Sequence, residues 1–198
     1  SGGPGNDTLR GAVDAALDTA ADTLNGDEGD DTFDCGNATN GGDTFNGGAG
    51  SDTVSYALRT TAVTVTMGAG ANDGQASETD NVAADVEAVV GGSGNDTLTG
   101  SGNDDTITGG AGNDTITGGA GDDTLDGGDG DDSCVAGSSA DGADTFNGGA
   151  GIDTWRANLS AFNQAFAFNA ALAGVQNVGN GSSVTSVENK VGPLCPRF

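Results

Sequence analysis

Aspartate followed by threonine or serine and then an apolar residue occurs at Asp7, Asp22, Asp31, Asp43, Asp52, Asp96, Asp105, Asp114, Asp123, Asp132, Asp144 and Asp153. From Asp96 to Asp132 the spacing is nine residues without a break. The apolar residues two places on keep the same beat: Leu98, Ile107, Ile116, Leu125 and Cys134. A carboxylate is a hard oxygen donor, and Ca²⁺ takes six to eight such oxygens at about 2.3–2.6 Å. One short loop cannot supply six, but two stacked loops can share an ion. Glycine pairs precede many of these aspartates, as in Gly109-Gly110-Ala111-Gly112-Asn113-Asp114-Thr115-Ile116. Glycine permits positive φ, so the chain can turn sharply and aim carbonyls inward. Turn-making explains single Asp and Asn residues. It does not explain an aspartate fixed behind Gly-x-Gly at each ninth position.

The tandem pattern resembles the RTX family repeat, Gly-Gly-x-Gly-x-Asp-x-U-x with U a large apolar residue. Segments 91–135, 47–56 and 148–156 fit best, and the copy at 2–9 fits well. Asp22, Asp43 and Asp144 keep the aspartate without the glycine pair, so they are the weakest candidates. The resemblance implies an all-β fold, a parallel β-roll or β-helix solenoid stabilised by Ca²⁺, with two nonapeptides per turn. Stacked ligands then stand 18 residues apart, with Asp96, Asp114 and Asp132 on one edge and Asp105 and Asp123 on the other. It further implies a metal role for the carboxylates of Asp7, Asp31, Asp52, Asp96, Asp105, Asp114, Asp123, Asp132 and Asp153. Gly109, Ala111 and Asn113 in one loop, and Gly118, Ala120 and Asp122 in the next, join them. Asn95, Asp104, Asn113, Asp122 and Asp131, each just before a repeat aspartate, either lend a backbone carbonyl or shape the turn.

These ligands must be carried on short strands. The x-U-x triplet alternates, so U points inward and its β-branched neighbours outward. A longer period lies above the nonapeptide. Asp22, Asp31, Asp43 and Asp52 are separated by 9, 12 and 9 residues, as are Asp123, Asp132, Asp144 and Asp153, at an offset of 101. Val86-Glu87 recurs at that offset as Val187-Glu188. The expectation is two duplicated units of about 100 residues, 1–90 and 91–198, in one continuous stack. Each ends in a different kind of segment: Val54 to Val90, with the alternating Val63-Thr64-Val65-Thr66-Met67, and Trp155 to Val191, with Phe166-Ala167-Phe168. These read as half-buried strands in wider turns of the stack, with Gly68, Gly70 and Gly74 marking a turn. Trp155, Phe162, Phe166 and Phe168 read as core.

Composition narrows the function. The 198 residues include 38 Gly and 30 Asp plus Glu against 5 Lys plus Arg, a net charge of −25 with no His. Such a chain repels itself until a cation arrives. Nucleic acid is a poor partner without clustered basic residues, and no apolar run reaches the roughly 20 residues of a membrane helix. Without His there is no Ser-His or Cys-His nucleophile, and three distant cysteines make no zinc site. No catalytic residue is assigned. Cys35, Cys134 and Cys195 are an odd set, available for a disulfide within or between chains. Gly2-Gly3-Pro4-Gly5-Asn6-Asp7 opens inside a repeat, and Glu188-Asn189-Lys190-Val191-Gly192 stops where another would begin. The two ends are mutually compatible, which suggests head-to-tail polymerisation into a filament. The reading is therefore an extracellular, bacterial calcium-binding structural repeat protein that folds on Ca²⁺. The alternative is a module of a larger type I-secreted protease, epimerase, adhesin or toxin.

Overall fold

A computed structural model describes residues 1–11, 20–39, 41–137 and 144–156. Among them there is no helix, only short strands joined by tight loops. A threonine followed by an apolar residue opens most of the strands, and in Thr97–Thr99, Thr106–Ala111 and Thr115–Gly119 it extends to a Thr-apolar-Thr triplet. Each triplet buries its middle residue and turns its flanking threonines outward.

The strands coil into a flattened solenoid. One face is a seven-stranded parallel sheet running from Thr8–Leu9 through Thr32–Asp34, Thr53–Ser55, Ala88–Val90, Thr106–Ala111 and Thr124–Asp129 to Thr145–Asn147. Each coil adds one strand to it. The opposite face is divided. A four-stranded sheet holds Thr23–Glu28 and Thr44–Ala49, and a six-stranded sheet holds Thr97–Thr99, Thr115–Gly119, Ser133–Gly137 and Thr154–Arg156.

Register stacks like on like. On the first face Leu9, Phe33, Val54, Val89, Ile107, Leu125 and Phe146 form one inward row. On the other, Val65, Leu98, Ile116, Cys134 and Trp155 form a second. The two rows meet in a core two side chains thick. This is how a chain poor in aromatics builds an interior: each repeat contributes one residue, worth about 1.5–3 kcal/mol when fully buried. Trp155 stacks on Phe146, with ring centroids 5.0 Å apart, and packs against this core.

The segment 54–90 stays in the stack but not wholly in parallel. Val63–Thr66 pairs antiparallel with Gly74–Gln75, because the left-handed glycines Gly68, Gly70 and Gly74 fold the chain back. Cys35 and Cys134 are buried free thiols, so neither is in a disulfide. Cys134 occupies an inward U position, where it packs as a small apolar residue. Cys195, Phe162, Phe166, Phe168 and the remainder of 157–198 lie outside the described residues.

Candidate metal centres

Each repeat aspartate sits just before its strand, and from Asp96 to Asp132 its backbone N–H donates to the carboxylate Oδ1 of the aspartate one coil further on. Asp96 donates to Asp114 at 2.7 Å, Asp114 to Asp132 at 2.8 Å and Asp132 to Asp153 at 3.0 Å. On the other edge Asp105 donates to Asp123 and Asp123 to Asp144. In the first half Asp7, Asp31 and Asp52 make one such ladder, and Asp22 and Asp43 another. The aspartates without glycine pairs, Asp22, Asp43 and Asp144, are therefore rungs like the rest.

Stacking carboxylates at every rung buries like charges together. Asp31, Asp52, Asp96, Asp105, Asp114, Asp123, Asp132 and Asp153 are all buried. Burial pushes Asp114 and Asp123 up to about 6, with neighbouring aspartates pushing the same way and the cross-coil hydrogen bond opposing. Asp52 and Asp132 are raised for the same leading cause. The second oxygen carries the chemistry. Oδ2 of Asp7, Asp31, Asp52, Asp114, Asp123 and Asp132 is buried with no hydrogen-bond donor. A buried orphan carboxylate oxygen is costly unless a cation faces it.

A carbonyl from the next coil converges on the same place. A Cβ on Gly109 would strike both Asp114 Oδ2 and the carbonyl of Gly127. One on Gly127 would strike Asp132 Oδ2 and the carbonyl of Gly148. Gly26 stands likewise between Asp31 Oδ2 and the carbonyl of Gly47. The oxygens thus point at a gap that a side chain would fill. Among the described residues no three His, Cys, Asp or Glu side chains gather at one point. The donor set is one or two carboxylates plus backbone carbonyls, which suits a hard, oxygen-seeking ion such as Ca²⁺ and not a thiolate- or imidazole-seeking metal.

The loops fall into two states. In the loop ending at Asp114, Gly110 and Gly112 have φ of +109° and +119°. The loops ending at Asp7, Asp31, Asp52, Asp123, Asp132 and Asp153 share this left-handed pair, including the non-glycine Asp27 at +81°. The loops of Asp96 and Asp105 do not. Their carboxylates close their own loops: Asp96 Oδ2 accepts from Gly92 N–H at 2.7 Å, and Asp105 Oδ2 from Ser101 N–H at 2.6 Å. For Asp105 the cause is local, because Ser101 stands where the other loops have a left-handed residue. For Asp96 the loop reads Gly-Gly-Ser-Gly-Asn-Asp, a full match, and no departure in its own residues explains its state. Ser93 N–H donates to the carbonyl of Arg59.

Gly118 contributes a carbonyl beside Asp105 Oδ2, at the place a Cβ on Gly100 would take. Ala111 and Ala120 donate their N–H groups to the carbonyls of Gly92 and Ser101 in the coil before. Asn113 and Asp122 are exposed and serve the turns. Asn113 Oδ1 accepts from Asp131 N–H, and Asp122 N–H donates to Asp104 Oδ1.

Three residues were missed by the repeat pattern. Asp80 takes an aspartate rung, its Oδ1 accepting from Asp43 N–H at 2.9 Å. Glu87 replaces an aspartate rung, its Oε2 accepting from Asp52 N–H at 2.9 Å. Asp85 accepts from Gly47 and Gly48 N–H, and its carbonyl lies beside Asp52 Oδ2 at the place a Cβ on Gly47 would take. The signal was present in the Val-Glu pair, which ends the segment just before the next Gly-Gly.

The fold and these oxygen-lined gaps define a class: a parallel β-roll whose loops bind calcium between coils. The chain belongs to the RTX calcium-binding nonapeptide repeat family, whose model matches residues 1–15, 18–37, 37–55, 84–116, 99–134, 108–141 and 139–154, together well over half of the sequence. No curated protein matches the chain. Among the described residues no helix is long and apolar enough to cross a membrane.

Proposed function

We propose that the chain is a calcium-held extracellular scaffold: a roll that folds as Ca²⁺ fills the gaps between coils and then acts as a stiff structural element. The observation that carries this is the set of buried, donorless Oδ2 atoms of Asp7, Asp31, Asp52, Asp114, Asp123 and Asp132. Each of those loops is in the left-handed state. These six, with Asp153, are the first-rank ligands in this reading. Carbonyls of Gly109, Gly118 and their equivalents complete the shells. Asp85 and Glu87 close the site beneath Asp52, and Asp96 and Asp105 join once their loops open. No residue is assigned a catalytic role.

The secreted location follows from linkage. An ion that binds only the folded state stabilises it by mass action, so a calcium-poor interior keeps the chain unfolded and a calcium-rich exterior folds it. Units 1–90 and 91–198 stacked in one solenoid give a roll that head-to-tail assembly would extend in the same register.

Calorimetric titration of the EDTA-stripped chain, followed in parallel by far-ultraviolet circular dichroism, tests the central claim. Several bound Ca²⁺ and cooperative growth of β signal are expected. No heat and an unchanged spectrum would sink it. Negative-stain microscopy with and without EDTA tests assembly, and monomers alone at millimolar calcium would remove the filament.

A further inference from the structure

The edge of the roll that carries Asp96, Asp114 and Asp132 does not begin with a calcium loop. Register identifies what begins it. Val63 N–H donates to Asp96 Oδ1 at 2.8 Å, as Asp96 N–H does to Asp114 Oδ1. Val63 therefore stands at the aspartate position of the coil above. Counting back from Val63 and from Asp96 by the same four residues pairs Arg59 with Gly92. The backbone agrees: Ser93 N–H donates to the Arg59 carbonyl at 2.8 Å, as Ala111 N–H does to the Gly92 carbonyl at 2.9 Å. Leu58-Arg59-Thr60-Thr61-Ala62-Val63 is thus a loop of the same column. It has lost its carboxylate ligand and gained a cation.

That cation is wholly internal. The side chains of Arg59 and Glu78 are both 0% exposed and lie 2.9 Å apart. Arg59 Nη1 donates to Gln75 Oε1 at 3.1 Å and Nη2 to the carbonyl of Cys35 at 3.0 Å. Three oxygens from two separate stretches of chain, a carboxylate and an amide from 75–78 and the backbone carbonyl of Cys35, converge on one buried positive group. This is the donor chemistry of the calcium gaps, with the charge supplied by the chain. The neighbouring acids are closed in the same way. Asp80 Oδ1 accepts from Asp43 N–H and Oδ2 from Tyr56 O–H. Asp73 accepts from Thr66 and Val82 N–H. Both carboxylate oxygens of Asp73 and of Asp80 are met by protein donors, unlike the Oδ2 atoms of the left-handed loops.

We propose that Arg59 is a resident cation that heads this column. Its guanidinium does for the coils at 56–99 what Ca²⁺ does for the coils at 106–135, so the first group is folded before calcium arrives and presents the second with a template. The proposal rests on the calcium reading only for the contrast between the two groups.

Hydrogen–deuterium exchange on the full chain, with calcium chelated and then restored, tests it. In the chelated wild type, peptides within 56–99 are expected to exchange roughly tenfold or more slower than those within 106–135. Arg59→Met should abolish that difference, while Arg59→Lys, which keeps the charge, should retain part of it. Two results would overturn the proposal: equal, fast exchange of both groups in the chelated wild type, or full protection of 56–99 in the Arg59→Met/Glu78→Met double variant. The second would mean an ordinary ion pair that apolar packing can replace. Should Arg59→Met not fold even with calcium, the wild-type comparison still decides. Failure of the calcium reading looks different, because 106–135 would then be protected under chelation and calorimetry would be silent.

Discussion

Residues 56–87 and residues 106–135 occupy the same solenoid and solve the same problem by opposite means. Both stack acidic residues coil upon coil in a buried setting. In 56–87 the described carboxylates meet protein donors: Arg59 and Gln75 N–H at Glu78, Tyr56 at Asp80, backbone N–H at Asp73. In 106–135 one oxygen of each of Asp114, Asp123 and Asp132 meets none. Buried acids can be stabilised by organised donors or by an ion, and the choice decides whether folding depends on the solution. The second region has traded self-sufficiency for responsiveness.

The comparison breaks most plainly on chelation. Stripping calcium should abolish most of the β signal from 106–135 while leaving that from 56–99, and exchange mapping by region reads both. Next in size is the core they share. Ile116→Ala removes a fully buried rung between Leu98 and Cys134 and should cost about 2–5 kcal/mol, seen as a lower denaturant midpoint in saturating calcium.

A smaller and sharper test sets the two loop states against each other. Asp114→Asn should raise the calcium midpoint severalfold, because an orphan carboxylate oxygen is lost. Asp96→Asn should raise it less, because both of its oxygens already accept hydrogen bonds. Equal effects in calorimetric titrations would erase the distinction between the states.

Smallest is the response to acid without calcium. The folded-state pKa of Asp114 and Asp123 is raised to about 6, chiefly by burial. A raised carboxylate pKa means the folded state holds protons that the unfolded chain releases. Its contribution to stability is full below the ordinary carboxylate value near 4 and is lost as pH rises through about 6. The chelated roll should therefore gain β signal as pH falls from 7 to 5, with protons partly doing the work of calcium. A flat circular dichroism profile across that window would show that the acids are not strained by burial.

Much of this was legible in the sequence because it is periodic. The nine-residue beat gave the strands, the inward rows through Leu98, Ile107, Ile116, Leu125 and Cys134, and the 18-residue ladder of Asp96, Asp114 and Asp132. What escaped was not periodic. Arg59, Gln75 and Glu78 meet Cys35 once, across gaps of 16, 19 and 24 residues, with no repetition to announce it. The closed state of the Asp96 loop escaped for another reason. Its own residues match the pattern in full, so nothing in the nonapeptide sets it apart.

The aspartate ladder has a direction. The amide of each repeat aspartate donates to the carboxylate of the coil that follows it in sequence, so Asp96 needs Asp114 and Asp114 needs Asp132, while the residue just before it points the other way, as Asp122 N–H does to Asp104 Oδ1. A coil is completed by its successor, much as one tooth of a zip is held by the next. Deleting coils from the C-terminal side of the roll should unravel the coil left last, which loses an acceptor. Deleting the same number from the N-terminal side spares that ladder and removes other acceptors instead: turn oxygens such as Asn95 Oδ1 and Asp104 Oδ1, and carbonyls such as that of Asp96, to which Thr115 N–H donates. The two ends therefore fray differently, one losing buried carboxylate acceptors and the other exposed turn oxygens and carbonyls, although the two faces repeat the same short phrase.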